Sequence, residues 1–167
     1  IDATGSGKWT AGIFGDNWQS SDFYAVHLEF HTTGLPSFGI GIQLQNSSNA
    51  LTFHGLKIQG PNCASGSVNR GIQLDKVTDL FIFGGTWQGC FGQSVFFAAG
   101  TSGAVNPHVY GVHIENTQVA PTDGADVVIN GGADGAVNVS FSGIQGGSFN
   151  IGTGAGSVRN CSIMQSE

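Results

Sequence analysis

The groups in this 167-residue chain that could do acid–base or metal chemistry are eleven carboxylates and five histidines. Cleaving a glycosidic bond takes two carboxyls, ~5.5 Å apart for retention and ~6.5–9.5 Å apart for inversion. Three acids are candidates for such work. Asp75 and Asp79 flank a turn between two predicted strands, so both can face one groove, and Glu115 stands on a face rich in Phe and His. Glu115 has no acid at the matching positions of neighbouring repeats. In HLEFH, His27, Glu29 and His31 alternate along one strand, each ~6.8 Å from the next. That is too far for the three to grip one ion at ~2.1 Å, so no metal site and no cofactor is expected. Asp123, Asp126 and Asp134 fall in TDGADVVINGGADG, where Asp beside Gly reads as turn chemistry. No Ser–His–acid spacing picks out a catalytic triad.

Non-covalent binding is the other chemistry on offer. Phe81, Phe83 or Trp87 could stack on the apolar face of a sugar ring while His54, His113 or Glu115 hydrogen-bonds its hydroxyls. Two readings compete with a sugar site. One is a solvated face that happens to carry imidazoles. The other is an oligomer interface, because an outward Phe buried against a partner gains about 1.5–3 kcal/mol.

The elements that must position these side chains are short strands. AGIFG, GIQLQ, GIQLD, SVFFA, DVVIN and SFNIG each begin a unit, marked at Ile13, Ile42, Ile72, Val95, Val127 and Phe149, with steps of 29, 30, 23, 32 and 22 residues. A second strand follows each, with apolar residues alternating at period two, which means one buried face. Leu28, Phe53, Ile82, Ile114 and Val139 are expected inside. Two outward columns follow: Glu29, His54, Phe83, Glu115 and Ser140 beside His27, Thr52, Phe81, His113 and Asn138. His31 continues the first strand, so four of the five histidines are expected on one face. On the first strand Gln43, Gln73, Phe96, Val128 and Asn150 are expected to point out, with Gln43 and Gln73 placed for an amide ladder. Gly/Ser/Asn/Asp clusters separate the units as turns, and no helical period of useful length is present. Equivalent residues recur at one coil length rather than as mirror images, which argues for stacked coils over a hairpin sandwich.

ALTFHGLKIQG, DLFIFGGTWQG and GVHIENTQV resemble coils of right-handed parallel β-helices of the pectate-lyase-like superfamily, most of all bacteriophage tailspikes and tail appendages. The resemblance spans roughly residues 11–163 and is one of architecture, with no catalytic motif. It implies a right-handed parallel β-helix of about six coils forming a single all-β domain over residues 1–167. It also implies a homotrimer, a location in the virion tail or outside the cell, and recognition of a host cell-surface glycan. The same resemblance leaves two alternatives, a polysaccharide hydrolase or lyase and a purely structural trimeric shaft. Members of that superfamily usually cap the first turn with an amphipathic helix. None is legible here, which fits a fragment or an open end covered by another chain.

Composition narrows the partners. The net charge is −6, with only five Lys and Arg, too few to neutralise a row of phosphates, so nucleic acid is excluded as a partner. An anionic polymer is disfavoured for the same Coulomb reason, whereas a neutral glycan is not. No apolar run approaches the ~20 residues that span a bilayer. The chain opens on Ile1-Asp2 rather than Met, as a processed protein or a piece of a longer one does. Three cysteines, Cys63, Cys90 and Cys161, are expected as buried free thiols; if any pair were bonded, Cys63 with Cys90 is the sensible one, since they follow the matching glycines Gly60 and Gly89.

Overall fold

The computed structural model describes residues 2–3, 11–30, 38–63, 68–98, 104–118, 120–129, 136–152 and 158–166. These form sixteen strands: β1 (Asp2–Ala3), β2 (Ala11–Asp16), β3 (Gln19–Tyr24), β4 (His27–Phe30), β5 (Phe38–Gln45), β6 (Ser48–Gln59), β7 (Val68–Leu74), β8 (Val77–Gly89), β9 (Phe91–Ala98), β10 (Ala104–Asn116), β11 (Val127–Ile129), β12 (Ala136–Val137), β13 (Ser140–Ile144), β14 (Phe149–Ile151), β15 (Val158–Arg159) and β16 (Ser162–Gln165). Every pairing among them is parallel and joins one coil to the next. One sheet runs β14-β11-β9-β7-β5-β2, and the other is built around β4-β6-β8-β10. The chain is a parallel β-solenoid of about four turns. Six coils were expected, so the count differs slightly.

Each turn has three legs, and backbone conformation sets the corners between them. The first leg lies in the six-stranded sheet. The second and third lie in the other sheet, where β6, β8 and β10 bend midway. That bend falls at Ala25, Gly55, Gly84, Gly111 and Gly143, with φ of 51, 67, 68, 63 and 65°. A Cβ at Gly55, Gly84 or Gly111 would meet nothing within 4 Å. Glycine is therefore used there for its left-handed φ and not for space. Gly85 is the opposite case, since a Cβ on it would overlap the Leu56 carbonyl oxygen of the coil below.

Another left-handed file opens the second leg. Ser20, Ala50, Asp79, Asn106, Asn138 and Asn160 have φ between 48 and 55°. Along it Asn160 Nδ2 donates to Asn138 Oδ1 at 2.9 Å, Asn138 to Asn106 at 2.9 Å, and Asn106 to Asp79 Oδ1 at 2.7 Å. Asn and Asp tolerate this conformation better than other L-residues, and stacking at strand spacing brings amide to amide.

The core consists of files of like residues up the hollow. Ile13, Ile42, Ile72, Phe96, Val127 and Phe149 form one, and Phe23, Phe53, Ile82, Val109, Phe141 and Ile163 another. Leu28, Phe53, Ile82, Ile114 and Val139 are all buried as expected. Phe96 and not Val95 continues the first file, because the register shifts between Val68 and Arg70. Phe96 is thus fully buried rather than outward, and Phe97 takes the outer place, pairing with Gln73 and Val128.

Cys63 and Cys90 form a disulfide with Cα atoms 5.0 Å apart, which corrects the free-thiol expectation for both. The reason is the coil stack: Cys90 N donates to the Pro61 carbonyl, so the segments after Gly60 and Gly89 lie one coil apart. Cys161 is a free, half-buried thiol.

Candidate functional site

The glycine bend splits the expected single outward face into two strips. Residues before it share one strip and residues after it the other. The expected columns merged them, pairing His27 and Glu29 with Thr52 and His54. In the structure His27 pairs with Lys57 and Glu29 with Gln59, while Thr52 and His54 pair with Asp22 and Tyr24. At the other end His113 pairs with Thr86 and Glu115 with Gln88, and the true partners of Phe81 and Phe83 are His108 and Tyr110. So His54 and His108 stand on one strip and His27 and His113 on the other. His31 and Asp134 lie outside the described residues.

The strip before the bend is aromatic. Tyr24, His54, Phe83 and Tyr110 stack in one file, with centroids 4.6, 5.4 and 5.2 Å apart and planes within 18° of parallel. Phe81 and His108 stack at 5.2 Å in the file beside it. Across the files Phe81 lies 6.3 Å from Phe83, and His108 6.3 Å from Tyr110. These distances fall in the attractive range for ring pairs. Tyr24 is 70% exposed and Phe83 41%, so the strip is open to solvent. Below it His108 Nδ1 and the Ser140 hydroxyl are hydrogen-bonded.

Sequence reasoning placed Phe81, Phe83 and His54 here but missed Tyr24, His108 and Tyr110. The signal was local. Four of the five bend residues follow a ring-bearing one, in FYA, FHG, IFG and VYG, at residues 23–25, 53–55, 82–84 and 109–111. Aligning on those dipeptides gives the file directly.

Trp87 does not belong to this surface. It is fully buried, stacked on Phe96 with centroids 6.0 Å apart, and its Nε1 has no hydrogen-bond partner among the described residues. Its expected role in sugar stacking is therefore corrected. Trp87 follows the bend in the third leg and pairs inward between Ile58 and Ile114.

The strip after the bend is polar. Its files are His27, Lys57, Thr86 and His113, and Glu29, Gln59, Gln88 and Glu115. Gln88 donates to Gln59 from one coil to the next. His113 Nε2 lies 3.5 Å from Glu115 Oε2, and His27 Nε2 3.9 Å from Glu29 Oε2. A hollow of about 410 Å³ adjoins this strip, lined by residues including Gln59, Cys63, Gln88, Glu115 and Thr117.

The three candidate catalytic acids are Asp75, Asp79 and Glu115. Asp79 accepts from Asn106 as the foot of the asparagine ladder. Asp75 sits half-buried in the bend before β8, with Oδ1 lacking a partner among the described residues. Glu115 shares its strip with Glu29, three strand steps away, which is ~14 Å at 4.8 Å per step and beyond the carboxyl spacings of glycoside hydrolysis. No group of three or more His, Cys, Asp or Glu suited to a metal ion occurs among the described residues.

The six-stranded sheet carries a clasp on its outer side. Arg70 Nε and NH2 donate to the two Asp123 carboxylate oxygens at 3.0 and 3.1 Å, and NH1 donates to Gln73 at 2.8 Å. The guanidinium lies 3.8 Å over the Phe97 ring. Ser94, fully buried, donates to Asp123 at 2.8 Å. This accounts for Asp123 as a structural acid. It also shows the chain covering part of its own second face, where Val128 is buried despite its outward register. With Gln73 accepting from Arg70, and Gln43 donating to Gln45, no Gln43–Gln73 ladder forms.

Comparison of the chain with protein-family models, with curated proteins and with solved structures finds no match.

Proposed function

We propose that this chain is a carbohydrate-recognition solenoid that holds a neutral polysaccharide of a cell surface on its aromatic strip. The observation that carries the reading is the exposed file Tyr24–His54–Phe83–Tyr110 with Phe81 and His108 beside it. Rings locked in place by mutual stacking lose little freedom on binding, and they present apolar edges and end faces beside the hydroxyls of Thr52, Ser140 and Ser142. The shortage of Lys and Arg favours an uncharged polymer over an acidic one. The solenoid and the low charge fit a segment of a phage tailspike or tail fibre. The Cys63–Cys90 disulfide supports a place outside a reducing cytosol, whether in a virion tail or another extracellular setting.

The test is a glycan array probed with the wild-type chain and with a Phe81→Ala/Phe83→Ala variant. Wild type retains neutral oligosaccharides without releasing reducing ends, and the double variant retains none. A wild-type chain that binds no glycan, or that liberates reducing ends, overturns the reading. A second reading rests on the same exposure: the strip is an interface between copies in a trimer. Light scattering separates the two, since an interface makes the trimer dissociate when Phe83 is changed to Ser, and a glycan site leaves the mass unaltered.

A further inference from the structure

The aromatic file stops before the corner that carries it does. The tripeptides at the bend read FYA, FHG, IFG, VYG and then FSG at residues 141–143. Tyr110 therefore pairs with Ser142, and Ser142 in turn with Met164. One face of the Tyr110 ring is covered by Phe83 at 5.2 Å. The register position on its other side holds only the small side chain of Ser142. The strands of Tyr110 and Met164 are two steps apart, ~9.6 Å, so the ladder skips the place of one ring. Met164, 59% exposed, stands at the far side of the gap. Its surroundings are rich in hydroxyls: Ser140 and Ser142 are half-buried on β13, and Ser162 is exposed at the register partner of Ser140.

We propose that this gap is the subsite for a single pyranose ring of the bound glycan. The apolar C–H face of the sugar lies on the open face of Tyr110. Its ring hydroxyls are met by Ser142 and Ser140, and Met164 closes the other side as an adaptable apolar wall. A chair-form sugar suits both halves of this surround, whereas a purely aromatic ligand would leave the Ser142 hydroxyl without use. The interior rings of the file have both faces occupied by neighbours, so Tyr110 offers a stacking face that His54 and Phe83 do not. The inference rests on the glycan reading above and specifies where on the strip a sugar is gripped.

The experiment compares wild type, Ser142→Phe, Tyr110→Leu and Gln43→Ala on a neutral oligosaccharide found by the array, with affinities from titration calorimetry. Ser142→Phe continues the ladder through the gap. It is expected to melt at or above the wild-type temperature while weakening binding about tenfold or more, since the ring place is filled. Tyr110→Leu keeps bulk but loses the π face, and binding falls roughly three- to tenfold. Gln43→Ala, on the other sheet, leaves affinity unchanged. If wild type and the Ser142→Phe variant bind equally, the subsite is overturned while glycan recognition stands. If the wild-type chain binds no sugar, both fall. Loss of binding in the Tyr110→Leu variant alone, with Ser142→Phe unaffected, also overturns the subsite.

Discussion

Asn138 is the place to ask how much the asparagine ladder holds the coils together. It sits at φ 55° and exchanges one amide hydrogen bond with Asn160 and one with Asn106, each 2.9 Å. Replacing it by Ala removes both bonds and puts a poorer residue in a left-handed conformation. An exposed hydrogen bond is worth about 0.5 kcal/mol net, at the low end of the usual range, so two give about 1 kcal/mol. The left-handed conformation adds about 1 kcal/mol for Ala. Asn138→Ala should then lower unfolding free energy by about 2 kcal/mol. Asn138→Gly loses the same bonds but removes the conformational strain, at an entropic cost of about 0.5 kcal/mol, and should lose about 1.5 kcal/mol in all. Asn138→Asp keeps the acceptor for Asn160 and loses the donor to Asn106, so it should fall nearer to wild type. Urea denaturation followed by circular dichroism gives the three differences. If all three variants lie within about 0.5 kcal/mol of wild type, the ladder contributes nothing and the reasoning fails. If Gly proves worse than Ala, backbone strain is not part of the cost.

The Cys63–Cys90 bond closes 27 residues of chain, and the loop-entropy relation gives about 3.5 kcal/mol of stability lost on reduction. Unfolding without reductant should expose one titratable thiol, Cys161, and reduction should expose three. Burial raises the Cys161 pKa above its ordinary value. The native thiol should therefore alkylate more slowly than the unfolded one. Its contribution to stability is complete below the unfolded-state pKa and declines as pH rises toward the higher folded one. Trp87→Ala should cost about 3–5 kcal/mol as a core truncation. Trp87→Phe should stay within about 1 kcal/mol of wild type, because losing an unpartnered N–H offsets part of the lost packing; a large loss in its denaturation midpoint would mean that Nε1 is satisfied.

The sequence by itself determined the solenoid and its contents. Period-two alternation at Leu28, Phe53, Ile82, Ile114 and Val139 named the inside correctly, because alternation is a property of one strand and needs no neighbour. Recurrence of GIQL at Ile42 and Ile72 gave the true register there, since like residues bury best on like. Tertiary structure alone decided which residues share an outer file. The second and third legs have the same alternation, so pattern could not tell Phe81 from Thr86 as the partner of His113, and only the left-handed bend at Gly84 and Gly111 separates them. The bend in the first coil falls on Ala25, which carries no such mark in composition. The one-residue shift near Arg70 was likewise invisible, because Val95 and Phe96 are both apolar and both buried. Trp87 was misassigned for the related reason that side-chain type does not reveal the leg. Outward neighbours are fixed by how one coil lies on the next, and that depends on corner conformations and loop lengths rather than on the alternation within any strand.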